Sequence, residues 1–391
     1  MLTKVGKIDI GLFVATLALL AIGIVLVYSS SFAVAMDPKF GSSDYFLSRQ
    51  LTRALLAVVC FMFFINFDYR KLATISPFIF IGAITLLIIV LCLPEIKGVK
   101  RWLVVFGMRF QVSDFARMAL IVFLAKKCGE KDADFSCWRG LAPHYLRIGI
   151  ICALVVAGRD FSTTMILAGT AFAMLFVAGA KLRHLMATAL VAAVPAVLLV
   201  LMTPYRMARV AGFLDPGAEG GRLSYQVTQS LVGLGRGGLF GAGLGKGEQK
   251  YFYLPEPHTD FIIAALGEEF GFVGVVLVLL IFAFVVYRGF RVSLKVADPA
   301  GKLMAFGFTM VIALYALVHT SVATGLVPAT GIPMPFLSYG GMSLIFTMSG
   351  MGILLNISSR IGDEKAPAPA PGRSRTEKIR ELAQRGGRVG V

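Results

Sequence analysis

Long uncharged apolar runs recur along this chain, separated by short polar segments. An apolar run of about 18 residues is long enough for an α-helix to cross a bilayer. The pattern predicts ten such segments, several of which are short or carry a charge: 10–27, 54–67, 72–93, 110–125, 148–158, 161–180, 185–203, 261–287, 303–327 and 336–355. The predicted fold is an all-α polytopic membrane protein with about ten transmembrane helices.

The polar segments predict the topology. Residues 204–259 lie between the seventh and eighth predicted spans, and we expect them to form a large extracytoplasmic loop. Ten spans put both termini on one side. The Lys and Arg residues of the shorter loops favour the cytoplasm for that side once the long loop is set aside. Residues 1–360 are predicted to form one transmembrane domain, and 361–391, rich in Pro and Ala and then basic, a disordered cytoplasmic tail.

The composition narrows the class of protein and its partners. Hydrophobic residues make up 57% of the chain and charged residues 15%, which excludes a disordered, collagen-like or disulfide-framework protein and disfavours an ordinary soluble enzyme. The net charge of +16 favours anionic lipid headgroups or a phosphate-bearing substrate. Nucleic acid is not expected, because much of this charge flanks membrane helices. The five cysteines show no metal-binding spacing.

Ionisable residues within predicted spans are costly and need an explanation. Asp114 and Arg117 are three residues apart, so they share one helix face. They either form an ion pair or line a polar cavity. Arg159 and Asp160 interrupt an apolar stretch, either as a simple turn between two spans or as part of a site.

A polar cluster directly precedes the eighth span. Thr259 or Asp260 could cap that helix, since hydroxyls and carboxylates satisfy free N–H groups at a helix start. Capping alone does not need Glu256, His258 and Asp260 together. A carboxylate, an imidazole and a second carboxylate at a membrane surface form a candidate acid–base or metal cluster.

Two further segments break the helical pattern. Between Gly233 and Gly247, 8 of 15 residues are glycine. No strand precedes them, so a dinucleotide-binding loop is not indicated, and they either let backbones pack closely or flex around a ligand. Residues 331–341 are rich in Pro and Gly. We expect them to meet the Asp260 segment on the same side of the membrane.

Several motifs are shared with a known family. They are Lys100-Arg101-Trp102, Phe110-Gln111, Tyr225-Gln226, Gln229-Ser230, Gly237-Gly238, Leu254-Pro255-Glu256, His258-Thr259-Asp260-Phe261 and Pro335-Phe336-Leu337-Ser338-Tyr339-Gly340-Gly341. Over residues 8–358 the chain resembles the SEDS family (shape, elongation, division and sporulation) of membrane peptidoglycan polymerases. It is more similar to the division branch than to the elongation branch. Asp114 and Arg117 stand where the family usually has Glu and Lys.

The resemblance implies a peptidoglycan glycosyltransferase. Such an enzyme polymerises lipid II into β-1,4 glycan strands with inversion, and releases undecaprenyl pyrophosphate for septal wall synthesis. Asp260 would be the catalytic base, or the carboxylate that orients the acceptor or a divalent cation such as Mg²⁺ or Mn²⁺. A prenyl chain would lie in a groove between helices.

The residues expected to bind substrate are Asp114, Arg117, Asp160, Arg101, Lys246, Lys250, Glu256, His258, Thr259, Gln229, Ser338 and Tyr339. The departing pyrophosphate needs positive charge. Outer basic residues, Arg109, Arg206 and Arg209 among them, could supply it, although each could equally be a solvated surface charge.

Two other classes of function fit the same pattern. A lipid II flippase would also combine many spans with intramembrane charges and broken helices. A non-catalytic division scaffold would recruit a class B penicillin-binding protein. The expected partners are lipid II, undecaprenyl pyrophosphate, that transpeptidase, other divisome membrane proteins and membrane lipids. The expected location is the bacterial cytoplasmic membrane, at the septum, with the active site on the periplasmic or outer face.

Overall fold

The computed structural model describes residues 8–36, 44–96, 98–105, 108–130, 135, 137–214, 222–251, 254–255 and 257–361. This part of the chain forms twelve α-helices and one β-hairpin. The helices are α1 (Ile10–Ala35), α2 (Tyr45–Asn66), α3 (Tyr69–Cys92), α4 (Val112–Cys128), α5 (Trp138–Ala157), α6 (Phe161–Val177), α7 (Leu182–Leu201), α8 (Pro204–Leu214), α9 (Arg222–Gly237), α10 (Ile262–Lys295), α11 (Pro299–Ala323) and α12 (Ser343–Ser358). The strands β1 (Trp102–Val105) and β2 (Met108–Gln111) pair antiparallel.

The helices confirm the predicted membrane fold. Seven of those described are long and apolar enough to cross a bilayer: α1, α2, α3, α5, α7, α10 and α11. Helices α6 and α12 are apolar but shorter, and α4 has 17 residues. Each of the ten predicted segments falls on one of these ten helices, while the number of spans stays a prediction. The predicted tail, from residue 362 onward, lies outside the described residues.

Helices α4, α11 and α12 form the centre of the bundle. Helix α4 packs on α3 and α11, α12 packs along α2, and α10 packs on α11 and α9. Helix α7 has little contact with the rest of the protein, since only 11% of its apolar stretch is buried. An apolar helix with so little protein contact is suited to face lipid.

Aspartate caps tie the helices together at one end of the bundle. The Asp9 carboxylate accepts a hydrogen bond from the Leu12 N–H and forms an ion pair with Arg288 (2.7 Å). Asp68 caps α3 and pairs with Arg360 (3.2 Å). Because Asp260 lies at the opposite end of α10 from Arg288, these pairs hold the end that is far from Asp260.

The glycine-rich segment after α9 packs on a break in α10. Gly271 has a φ of +68°, which interrupts the helix. The backbone groups released by the break bond to the glycine-rich segment at 2.9–3.1 Å: Ala242 N to Glu268 O, Gly243 N to Glu269 O, Phe272 N to Gly238 O and Val273 N to Leu239 O. Close backbone packing, one of the two roles expected for these glycines, is therefore what the structure contains.

Two glycines of α9 provide a matched test of this packing. A Cβ added at Gly237 would lie 1.9 Å from the Gly267 carbonyl oxygen, whereas one added at Gly235 meets nothing within 4 Å. Gly237→Ala is expected to lower stability by about 1–3 kcal/mol through overpacking. Gly235→Ala is expected to be neutral or to stabilise by up to about 1 kcal/mol, since alanine favours a helix. Thermal unfolding in detergent measures both, and equal melting temperatures for the two variants would refute the close packing.

Candidate active site

The two Pro- and Gly-containing segments predicted to converge do so at one end of the bundle. The Tyr339 N–H donates to the His258 carbonyl (2.7 Å), and the Ser338 hydroxyl donates to the Thr259 carbonyl (2.6 Å). Ser338 also accepts from the Met334 N–H (2.8 Å). The Ser338 hydroxyl is thus engaged in joining the two segments. We call this end, formed by the described residues among 93–111, 158–162, 203–261 and 324–342, the loop face.

Asp260 lies half-buried on the loop face just before α10. Phe261 is the N-cap of that helix, so the expectation that Thr259 or Asp260 holds the capping position is wrong. An Asp260 carboxylate oxygen lies 3.5 Å from the point where a Cβ on Gly331 would be. The Arg209 Nη2 atom lies 3.7 Å from the same point. The missing side chain of Gly331 therefore leaves room between an acid and a guanidinium.

Arg209 is held in this position by its other contacts. Its Nη1 donates to the Thr330 carbonyl (3.0 Å), its Nη2 donates to the Tyr205 hydroxyl, and its guanidinium lies 4.6 Å from the centre of the Tyr205 ring. The Ser162 hydroxyl donates to the same Thr330 carbonyl (3.0 Å). The arginine is therefore fixed by both α8 and the loop that contains Gly331.

Further positive charge lies near Arg209. Partial burial, and then the nearby Arg159 and Arg209, lower the pKa of Arg206. The Arg206 guanidinium stacks 5.1 Å from the centre of the Phe161 ring. Arg159, Arg206 and Arg209 thus bring positive charge together at this end of the bundle, which suits an anionic group.

Asp160 anchors the β-hairpin to the start of α6. It is buried, and its Oδ2 accepts from Gln111 Nε2 (2.9 Å) and the Ser113 hydroxyl (2.8 Å). Arg101 Nη1 lies 3.4 Å from the other carboxylate oxygen. A simple turn does not need these partners, so the carboxylate holds Arg101 and the hairpin on the loop face.

The ion pair expected as one alternative for Asp114 and Arg117 is present, and of the two residues Arg117 alone lines a cavity. The two buried side chains form an ion pair (3.1 Å), and Arg117 also donates to the Tyr315 hydroxyl. Arg117 and Tyr315 line a cavity of about 20 Å³ between α4, α11 and α12. That volume holds a water molecule and is too small for a prenyl chain.

The Lys250 side chain is buried and paired with a buried carboxylate, so its charge does not face solvent. Its Nζ lies 2.9 Å from Glu269 Oε1 and donates to the Gly245 carbonyl (2.7 Å). The Ser29 hydroxyl of α1 donates to the same Glu269 oxygen (2.5 Å). These contacts join the glycine-rich segment to α1 and α10. Lys246 is exposed in that segment.

An aromatic cluster borders the Asp260 segment. The ring centre of Phe46 in α2 lies 4.7 Å from that of His258 and 5.3 Å from that of Tyr339. The Arg53 guanidinium lies over the Tyr339 ring, 4.6 Å from its centre. Phe46 and Arg53 were not among the expected site residues, although their spacing of seven places them on one helix face.

Three further residues were expected to bind substrate. Thr259 and Gln229 are half-buried, and Glu256 lies outside the described residues. Within the described part of the chain, no group of three or more His, Cys, Asp and Glu side chains is arranged to hold a metal ion. The metal role of Asp260 stays a prediction.

The comparison with known proteins agrees with this architecture. The family model for FtsW, RodA and SpoVE, described as "Cell cycle protein", matches residues 11–361. The chain belongs to this family. The SEDS family expected from the motifs is therefore confirmed.

Individual relatives match over nearly their whole length. Stage V sporulation protein E of Bacillus subtilis (strain 168) is 40% identical, covering 92% of this chain and 99% of that protein. The probable peptidoglycan glycosyltransferase FtsW of Geobacter sp. (strain M18) is 38% identical, covering 92% and 98%. A solved structure, described as "Structural coordination of polymerization and crosslinking by a peptidoglycan synthase complex", superposes with a TM-score of 0.76 at 26% identity, covering 92% and 99%.

The Lys250–Glu269 pair predicts a stability cycle. Lys250→Met leaves a buried carboxylate unpaired and is expected to destabilise by about 3–5 kcal/mol. Adding Glu269→Leu removes that unpaired charge, so the double variant is expected to be more stable than the single one. The matched control is Arg236→Gln, which breaks an ion pair whose side chains are 52% and 68% exposed and is expected to cost about 0–1 kcal/mol. Thermal unfolding measures all three, and a double variant less stable than Lys250→Met would contradict this view of the pair.

Proposed function

We propose that this protein is a peptidoglycan glycosyltransferase that polymerises lipid II into β-1,4 glycan strands for septal wall synthesis. The observation that carries the proposal is the Asp260 carboxylate, half-exposed on the loop face and flanking Gly331 together with Arg209. An acid next to fixed positive charge suits a reaction that removes a proton from an acceptor and releases a pyrophosphate.

In the proposed reaction Asp260 accepts the proton of the acceptor 4-hydroxyl as that oxygen attacks the donor sugar. The carbon–oxygen bond to the lipid pyrophosphate breaks in the same displacement, which inverts the anomeric centre without a covalent enzyme intermediate.

The arginines supply the second requirement, stabilisation of the leaving group. Two negative phosphates develop further charge as the sugar departs, and fixed guanidinium groups stabilise that charge. Arg209 lies near Asp260 across Gly331, and Arg206 lies close to both Arg209 and Arg159. We assign Arg209 to the pyrophosphate and Asp260 to the acceptor.

The proposed orientation follows from the substrate. A lipid-linked sugar keeps its prenyl tail in the bilayer while its headgroup reaches the loop face, which we assign to the periplasmic side, with both termini cytoplasmic. A class B penicillin-binding protein is the proposed partner. The similarity to a component of a peptidoglycan synthase complex supports such an assembly.

A lipid II flippase is the second candidate, and the buried Asp114–Arg117 pair favours it. A transporter has its key groups near the middle of the bilayer. The Asp260–Arg209 pair lies instead at a helix end among connecting segments. Polymer formed in detergent, where no compartments exist, would separate catalysis from transport and from a scaffold role.

Asp260→Asn is the decisive variant for the reaction. It keeps the shape of the side chain but removes the base, so lipid II polymerisation by the purified protein is expected to fall below detection on a gel of glycan products. The thermal unfolding temperature is expected to stay close to that of the unchanged protein. Asp298→Asn, at the opposite end of the bundle, is the control, because Asn caps a helix about as well as Asp. Normal polymer from Asp260→Asn would remove this carboxylate from the mechanism.

Arg209→Gln tests the proposed pyrophosphate contact. Loss of one charge-stabilising donor is expected to lower kcat about 10²- to 10³-fold. Arg209→Lys keeps the charge but not the planar guanidinium, so its activity is expected to lie between that of the unchanged protein and that of Arg209→Gln. Arg236→Gln, an exposed arginine near the end of α9, is the control and is expected to be nearly fully active. Equal activity of the Arg209→Gln and Arg236→Gln variants would show that Arg209 does not act on the leaving group.

A further inference from the structure

The backbone of residues 330–332 lies between the two proposed reactive groups and is held from several sides. The Thr330 carbonyl accepts hydrogen bonds from Arg209 and Ser162, both at 3.0 Å. Gly331 then faces the Asp260 carboxylate. The carbonyl of Ile332, two residues after Thr330, lies 2.8 Å from Nδ1 of His319 in α11. We call residues 330–332 the platform.

The platform has little support of its own. The backbone–backbone hydrogen bonds described for this loop lie on either side of it, at residues 325–327 and 337–339. Gly331 has a φ of +68° and no side chain that could anchor it. Buried backbone groups without partners are costly, so side chains from neighbouring helices must hold such a segment.

His319 is the buried anchor of the platform. Its side chain is 1% exposed, and a carbonyl can only accept, so Nδ1 carries the proton and donates to Ile332. The other ring nitrogen, Nε2, has no hydrogen-bond partner among the described residues. Burying an imidazole with one unused nitrogen costs free energy. The bond to Ile332 is the polar contact that accounts for a histidine here.

We propose that His319 is a positioning residue which, through the Ile332 carbonyl, fixes the platform and thereby the gap between Asp260 and Arg209. This inference rests on the proposed function for its kinetic consequence but not for its structural one. His319 does not touch substrate. Its effect reaches the reaction because Gly331, the residue before Ile332, borders the open space between the Asp260 carboxylate and the Arg209 guanidinium.

Three substitutions distinguish positioning from packing. The amide nitrogen of Asn lies close to the position of Nδ1, so His319→Asn retains the donor to Ile332. In His319→Gln the amide nitrogen lies nearer to the position of Nε2, and in His319→Leu a side chain of similar size to histidine has no donor. Both variants therefore lose the hydrogen bond to the Ile332 carbonyl. Misplacement of reacting groups by about 1 Å can cost 10²-fold in rate. His319→Leu and His319→Gln are therefore expected to lower kcat about 10- to 100-fold with a smaller change in KM for lipid II.

Rescue by the conservative variant is the critical result. His319→Asn is expected to retain most of the kcat, although it leaves more empty space than His319→Gln. If activity instead follows side-chain volume, with Gln and Leu active and Asn inactive, His319 is a packing residue and the proposal is overturned.

Hydrogen exchange measured by mass spectrometry gives a readout independent of catalysis. In detergent, His319→Leu and His319→Gln are expected to speed exchange in peptides covering 324–338, with little change in α2 or α5, while His319→Asn exchanges like the unchanged protein. If the unchanged protein makes no polymer but this exchange pattern holds, the glycosyltransferase proposal fails and the anchor stands. If the protein is active and all three variants match it in rate and exchange, the anchor fails alone.

Discussion

A bilayer offers no water to backbone N–H and C=O groups, so every interruption of a helix in this protein must find a hydrogen-bond partner within the chain. The break at Gly271 shows the consequence. Four backbone groups released from α10 pair with four from the glycine-rich segment. That pairing needs two backbones in direct contact, and a side chain at Gly237 or Gly241 would collide with the α10 carbonyls. The glycine content of the segment is thus a requirement of the broken helix.

The same constraint governs the buried charges. Lys250 lies opposite Glu269 at the α10 break, and Arg117 lies opposite Asp114 near the start of α4. Each pair also bonds to a neutral hydroxyl from another helix. Pairing with added hydrogen bonds is the condition under which charges persist in a low-dielectric interior. These buried groups thus hold helices together.

Sequence patterns predicted the helices well because a membrane span is defined by length and apolarity alone. The convergence of the 258–260 and 331–341 segments was also predictable, since helix-breaking residues at membrane depth must pack on protein. The β-hairpin, α8 and α9 were not predicted, because their short mixed patterns resemble loops. The sequence alone did not distinguish Arg209 from the other basic residues expected on the outer side. Arg209 comes close to Gly331 only in the folded structure, and the spacing of residues along the sequence does not show it.

The site therefore depends on backbone more than on a compact motif. Asp260 and Arg209 are 51 positions apart by their numbers, and both flank a glycine from a third segment. Gly331 has no side chain that could hold it in place. Its position therefore depends on the groups that bind the backbone on either side of it. Ser162, Arg209 and His319 do so through the Thr330 and Ile332 carbonyls. Because these donors come from α6, α8 and α11, a shift of any of the three helices alters the gap between the acid and the guanidinium.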